Sequence, residues 1–164
     1  MIVVSDTSPL CNLALVNHLW LLREIYGVVI IPDVVADELT AAKDKTIQNI
    51  CTLEWIEIRS LTNPSFAQQL HNERGLDLGE AWAIALAIEL IADDLLIDER
   101  LGRREALKLG LPVIGILGIL VTAKQRGSIA IVQTVMDALI QEAGFRVSPA
   151  LYDRVLALSN EKIG

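Results

Sequence analysis

The chain opens Ile2-Val3-Val4-Ser5-Asp6-Thr7-Ser8-Pro9-Leu10 after its first methionine. The β-branched run from Ile2 to Ser5 favours a strand, which Asp-Thr-Ser-Pro breaks. Ser8 stands where it can cap a helix whose first residue is Pro9, because proline needs no backbone donor there and its ring pre-sets the helical φ. Strand, tight turn and helix form the opening of an α/β unit.

The pattern repeats along the chain. A helix over about Leu19 to Tyr26 stops at Gly27 and gives way to Val28-Val29-Ile30-Ile31, an unbroken apolar strand of the buried parallel kind. Pro32 starts a helix carrying Asp33, Asp37 and Glu38. From about Ala41 to Arg74 only a strand at Ile56 to Ile58 and a helix after Pro64 can be read. Ala81 to Ala92 alternates large apolar residues with alanine, but a dozen alanine-rich residues without a turn signal form a helix, apolar all round and therefore buried. Leu95 to Ile97 is the next strand, Glu99 to Leu109 a helix closed by Gly110, Val113 to Gly115 a short strand, and Ile116 to Arg126 a helix ended by Gly127. Val132, Val135, Met136, Leu139 and Ile140 make one helical stripe, and a last amphipathic helix spans about Ser148 to Leu158. Strands alternating with helices require a mostly parallel sheet covered on both faces, in a single domain over 1–164 with C-terminal amphipathic helices from about 132.

Composition sets the function classes. With 164 residues, 52% of them hydrophobic, the chain is too apolar to be disordered and long enough to bury a core. The excess of apolar side chains over what one small core holds points to a homo-oligomer. Cys11 and Cys51 form neither a disulfide framework nor a metal-ligand spacing, so a cytoplasmic protein is expected. No apolar run approaches the ~18 residues of a membrane span. The net charge of −7 argues against broad, nonspecific attraction to phosphate backbones. It leaves open an enzyme that meets a polyanion through divalent cations held by carboxylates.

Four acids stand out by position. Asp6 and Asp98 follow the C-terminal ends of the first strand and of the Leu95 to Ile97 strand, where ligands of parallel sheets collect. Glu38 and Glu80 lie in the first turns of helices whose N-termini rise at that same edge. Each acid also has an ordinary structural role: Asp6 and Asp98 as helix caps, Glu80 in an Asp77-Leu78-Gly79-Glu80 capping box, Glu38 as a solvated helix residue. Gathered on one edge, however, four carboxylates raise one another's pKa unless a cation sits among them, and oxygen donors without His or Cys select Mg²⁺ or Mn²⁺. Thr7 and Ser8 offer hydroxyls to such a site, and Asn12, one turn into the first helix, either orients Asp6 or is a helix-interior Asn with no role. Arg100, Arg103, Arg104 and Lys108 share one helical face, either an ordinary solvated face or a phosphate-contacting patch beside the acids.

The segments Val4-Ser5-Asp6-Thr7-Ser8-Pro9-Leu10, Ile31-Pro32 leading to Glu38, Gly75-Leu76-Asp77-Leu78-Gly79-Glu80-Ala81 and Leu96-Ile97-Asp98-Glu99-Arg100 together resemble the PIN-domain nucleases, most closely the VapC-like toxins of toxin–antitoxin pairs. The resemblance covers nearly the whole chain. It implies a three-layer α/β/α fold around a five-stranded sheet of order 3-2-1-4-5, a metal-dependent endoribonuclease working as a dimer or higher oligomer, and an antitoxin partner. It places Asp6, Glu38, Glu80 and Asp98 at the family's acidic positions and Thr7 or Ser8 at its supporting hydroxyl. Two positions depart from the pattern: many toxins carry Asp where this chain has Glu80, and Thr or Ser where it has Leu96 and Ile97.

The chemistry so implied is hydrolysis of RNA phosphodiester bonds, with one or two Mg²⁺ on Asp6, Glu80 and Asp98 and Glu38 at a second site or on water. Two rivals stand beside it. A phosphatase of the haloacid-dehalogenase type also begins with a strand and an Asp, but needs a second Asp where this chain has Ser8. The other rival is a PIN-like module without catalysis that binds a partner protein or RNA.

Overall fold

The computed structural model describes residues 1–162, so the last two positions of the expected 1–164 domain lie outside the described residues. Its elements are β1 (Val3–Ser5), α1 (Thr7–Leu15), α2 (Trp20–Tyr26), β2 (Val29–Pro32), α3 (Asp33–Thr40), α4 (Lys45–Gln48), β3 (Ile56–Arg59), α5 (Ser65–Arg74), α6 (Leu78–Leu90), β4 (Asp94–Leu96), α7 (Arg100–Lys108), β5 (Val113–Ile114), α8 (Ile116–Gln125), α9 (Val132–Glu142) and α10 (Pro149–Leu158). All strand pairs are parallel, in the order β3-β2-β1-β4-β5. The expected three-layer α/β/α fold is therefore what the sequence forms.

Alternation along the strands builds the layers. Val3, Val29, Ile31 and Leu96 point to one face, where they join the apolar sides of α1, α2, α3, α8 and α9. Val4, Ile30 and Leu95 point to the other, against α6 and the inner residues of α5 and α7. α6 lies on β1, β2 and β4, flanked by α3 and α5, and apart from the half-buried Trp82 it is buried from Gly79 to Ala87, while its last turn, expected to be buried too, exposes Ile88 and Glu89 because it runs past the sheet. A helix with no polar side can only be stable there; burying Ile84 and Leu86 contributes roughly 1.5–3 kcal/mol each.

Two local expectations change. The first helix begins at Thr7 rather than Pro9, with Asp6 at the capping position, and Ser8 lies inside its first turn. Neither Asp6 nor Ser8 makes the expected cap bond, because the Asp6 carboxylate faces the other acids. The stretch before β3 that gave no clear pattern folds as α4, capped by Asp44 on the N–H groups of Thr46 and Ile47, followed by a single 3₁₀ turn over Asn49–Thr52. Such short elements carry too few residues for periodicity to register.

The end of the chain is tied down. Glu161, beyond α10, accepts from the N–H groups of Val132 and Gln133 at 2.7 and 3.0 Å and from Lys124 Nζ at 3.2 Å. The start of α9 thus receives its acceptor from the tail, which fixes α10 across α8. No helix among the described residues is long and apolar enough to cross a membrane.

Candidate functional site at the C-terminal sheet edge

β1 and β4 are neighbours, and the chain order reverses between them, so a crevice opens beyond their C-terminal ends. Asp6 sits on this line: its N–H donates to the Leu96 carbonyl at 3.0 Å, and it is only 3% exposed. α3 brings Glu38 to the same place, where Thr7 Oγ1 donates to its carboxylate. Of the two candidate hydroxyls, then, Thr7 holds an acid while Ser8 lines a cleft further along.

Gly79, in the first turn of α6, supplies the room. Both Glu38 oxygens lie 2.8 Å, and Asp6 Oδ1 3.1 Å, from the point a β-carbon on Gly79 would occupy. Three carboxylate oxygens from two segments therefore look onto one small space. Glu80 turns elsewhere. Its N–H donates to Asp77 at 2.9 Å, as the capping box requires, and its Oε2 approaches Gly102 of α7, 3.2 Å from where a β-carbon would stand there.

Asp98 is committed to α8. Its Oδ1 and Oδ2 accept from the Ile116 N–H at 3.1 and 3.4 Å. Beside it Arg103 Nη1 donates to the Ile97 carbonyl at 2.9 Å. Asp98 Oδ1 and that Nη1 lie 2.6 and 2.8 Å from the β-carbon position of Gly115, a crowding that only glycine tolerates. Of the two readings of Asn12, the one that orients Asp6 is not formed; Asn12 lines the same cleft as Asp98.

The electrostatics follow from burial. Desolvation lifts Asp6 to about 7, against the Thr7 N–H and with the negative charges of Asp77, Glu38 and Glu99 adding to it. Glu80 rises to about 8 for the same first reason, with Asp77 and Asp6 as repelling neighbours. Asp98 rises to about 6 by burial, opposed by the Ile116 N–H and by Arg103. Burial also raises Glu38, and its bond from Thr7 opposes this. Asp77 and Glu99 thus belong to the acidic edge electrostatically, although Asp77 had a visible role only as a cap and Glu99 only a position near the strand.

An all-oxygen donor set suits a hard divalent cation, and Gly79 leaves a space a side chain would otherwise fill. The gathering goes no further than the Asp6–Glu38 pair: among the described residues no group of three or more His, Cys, Asp or Glu side chains stands close enough to hold a metal ion. The four acids therefore share one edge without forming one cage.

The basic residues of α7 divide. Arg100 and Arg103 line the cleft next to Asp98, Arg104 is exposed, and Lys108 pairs with Glu105 at 3.4 Å beside a separate depression. Arg146 and Arg154, from the C-terminal segment, line that same cleft. No spacing rule connects them to α7, and only the packing of α10 brings them there.

Comparison with known families matches residues 2–161 to the family described as the PIN domain. No curated protein and no solved structure gives a significant match.

Proposed function

Because the chain belongs to the PIN-domain family, we propose that it is an RNA-directed module of that family whose hydrolytic centre is not assembled as the side chains stand. Asp98 carries this reading. Both its oxygens serve the start of α8, with Arg103 alongside, and Glu80 turns to α7, which leaves only Asp6 and Glu38 facing a common space. An acid that satisfies a helix terminus is already doing structural work, and releasing it costs about 1 kcal/mol or more.

A second reading, a divalent-cation endoribonuclease, is favoured by the Asp6–Glu38 pair over Gly79 and by the raised protonation of Asp6 and Glu80. Asp6 and Glu38 would hold the ion. A bound Mg²⁺ or Mn²⁺ supplies an activated water and shields charge on phosphate. Thr7 orients Glu38 there, and Asp6 is fixed by its place at the end of β1. The toxin reading adds one more step, a small antitoxin encoded beside this chain that covers the acidic edge.

The two readings separate on one set of samples. Labelled RNA is incubated with the protein in EDTA, in Mg²⁺ and in Mn²⁺, and both binding and cleavage are recorded. The proposal expects binding in EDTA and no cleavage in either metal. Cleavage that disappears in Asp6→Asn would establish the enzyme instead.

A further inference from the structure

Four arginines share one cleft of this acidic chain, and among the described residues only Arg103 of these has a carboxylate, Asp98, acting on it. Arg100, Arg103, Arg146 and Arg154 line one cleft of about 1520 Å³ that runs from Asp98 along α8 to α10. Among the described residues, the acids on its walls are Asp98 and Glu99. Ion pairs among the described residues join Arg59 to Glu57, Lys108 to Glu105 and Lys124 to Glu161, and none involves these four. Arg103 is partly occupied by the Ile97 carbonyl; Arg100, Arg146 and Arg154 make no side-chain hydrogen bond among the described residues. In a protein with 21 acidic against 14 basic side chains, three uncommitted guanidinium groups in one cleft mark a place for an anion.

We propose that this cleft binds a single-stranded stretch of RNA, with phosphates on Arg100, Arg146 and Arg154 and an unpaired base against Phe145. This rests on the RNA-directed reading above and assigns it a place. Three features select the ligand. Among the described residues, every cation on the walls is Arg and none is Lys, the choice suited to forked contact with phosphate and to stacking on bases. The lining also carries the apolar side chains of Phe145, Leu117 and Val121, and an unpaired base offers them a flat face that a duplex keeps hidden. The volume exceeds the ~300–1,000 Å³ of ordinary small-molecule pockets, leaving room for more than one nucleotide. The cleft also meets the acidic edge at Asp98, so a strand lying in it leads toward Asp6 and Glu38.

The test is fluorescence anisotropy of a fluorescein-labelled 12-nucleotide RNA of mixed sequence, in EDTA, with a hairpin duplex of the same composition alongside. Arg146→Gln/Arg154→Gln and Arg100→Gln replace exposed side chains, and thermal melting checks that they leave the fold intact. If the double variant melts early, Arg146→Lys/Arg154→Lys keeps the charge and answers the same question through loss of forked contact. The native protein should prefer the single strand. The double glutamine variant should bind it at least tenfold more weakly, and its log K against log salt should flatten by about 1.4, two contacts at ~0.7 each. Equal binding of duplex and single strand overturns the proposal. So does an undiminished affinity in the double variant, while RNA binding by the native protein keeps the family-level reading. A native protein that ignores RNA but holds a Glu/Leu-rich peptide defeats both and assigns the cleft to a protein partner.

Discussion

Both carboxylate oxygens of Glu38 stand 2.8 Å from where a β-carbon on Gly79 would be, so the glycine is what lets this acid reach Asp6. Gly79→Ala should leave the domain folded. Alanine is a better helix residue than glycine by up to about 1 kcal/mol, and the atoms it displaces are the far end of a flexible side chain. The carboxylate should swing out, loosening its bond from Thr7. Mn²⁺ added to labelled protein should broaden the side-chain NMR signals of Asp6 and Glu38 in the native chain and leave them sharp in Gly79→Ala. Equal broadening in both proteins would mean that the space over Gly79 is not where a cation sits.

Some of this edge is visible in the sequence, and some is not, for a physical reason. Asp6 and Asp98 could be placed because a residue following a parallel strand must emerge at the C-terminal edge whatever the loop does. Glu38 and Glu80 could be placed because helices returning from that edge begin there. Where each side chain then points depends on neighbours from other segments. Asp98 turns to Ile116 and Glu80 to Gly102, contacts between residues 18 and 22 apart that no local pattern encodes. Arg146 and Arg154 come to line the same cleft as Arg100 through the packing of the C-terminal segment, where Val155 and Leu156 enter the core, Tyr152 bonds to Asp137 and Glu161 caps α9. Ser8-Pro9 is a strong capping signal, yet α1 begins two residues before Pro9, because Asp6 holds the capping position while its side chain faces the acids.

The buried acids make stability depend on pH in the direction opposite to an ordinary salt-bridged carboxylate. Unfolded Asp6 loses its proton near 3.8, while in the folded chain it keeps it to about 7. Between those values unfolding releases a proton, so stability falls as pH rises, and the full penalty is present above 7. Glu80 extends the window to about 8. The native protein, in EDTA, should therefore melt lower at pH 8.5 than at pH 5. Asp6→Asn removes the ionised form, and its melting temperature at pH 8.5 should exceed the native one by roughly 3–8 °C, since 1 kcal/mol shifts a domain of this size by about 2–4 °C. Its melting temperature should also vary less with pH. A variant that melts below the native chain at pH 8.5 would show that the Asp6 charge is compensated in the fold.

Asp98 should behave differently from Asp6, because it already has a partner. Its carboxylate accepts from Ile116 at the start of α8, and the N-cap residue there, Gly115, has no side chain to do so. Asp98→Asn keeps an oxygen for that N–H and removes a charge that burial disfavours, so at pH 8 it should be at least as stable as the native protein. Asp98→Ala leaves the N–H without its acceptor and should cost about 1–2 kcal/mol in urea unfolding, the usual loss of a capping group. Hydrogen exchange should localise that loss, with the amide of Ile116 and the first turn of α8 exchanging faster in the alanine variant and unchanged in the asparagine variant. If Asp98→Ala proves as stable as Asp98→Asn, the carboxylate is not holding α8, and it is free to turn toward Asp6, which would move the balance to the cation-dependent enzyme.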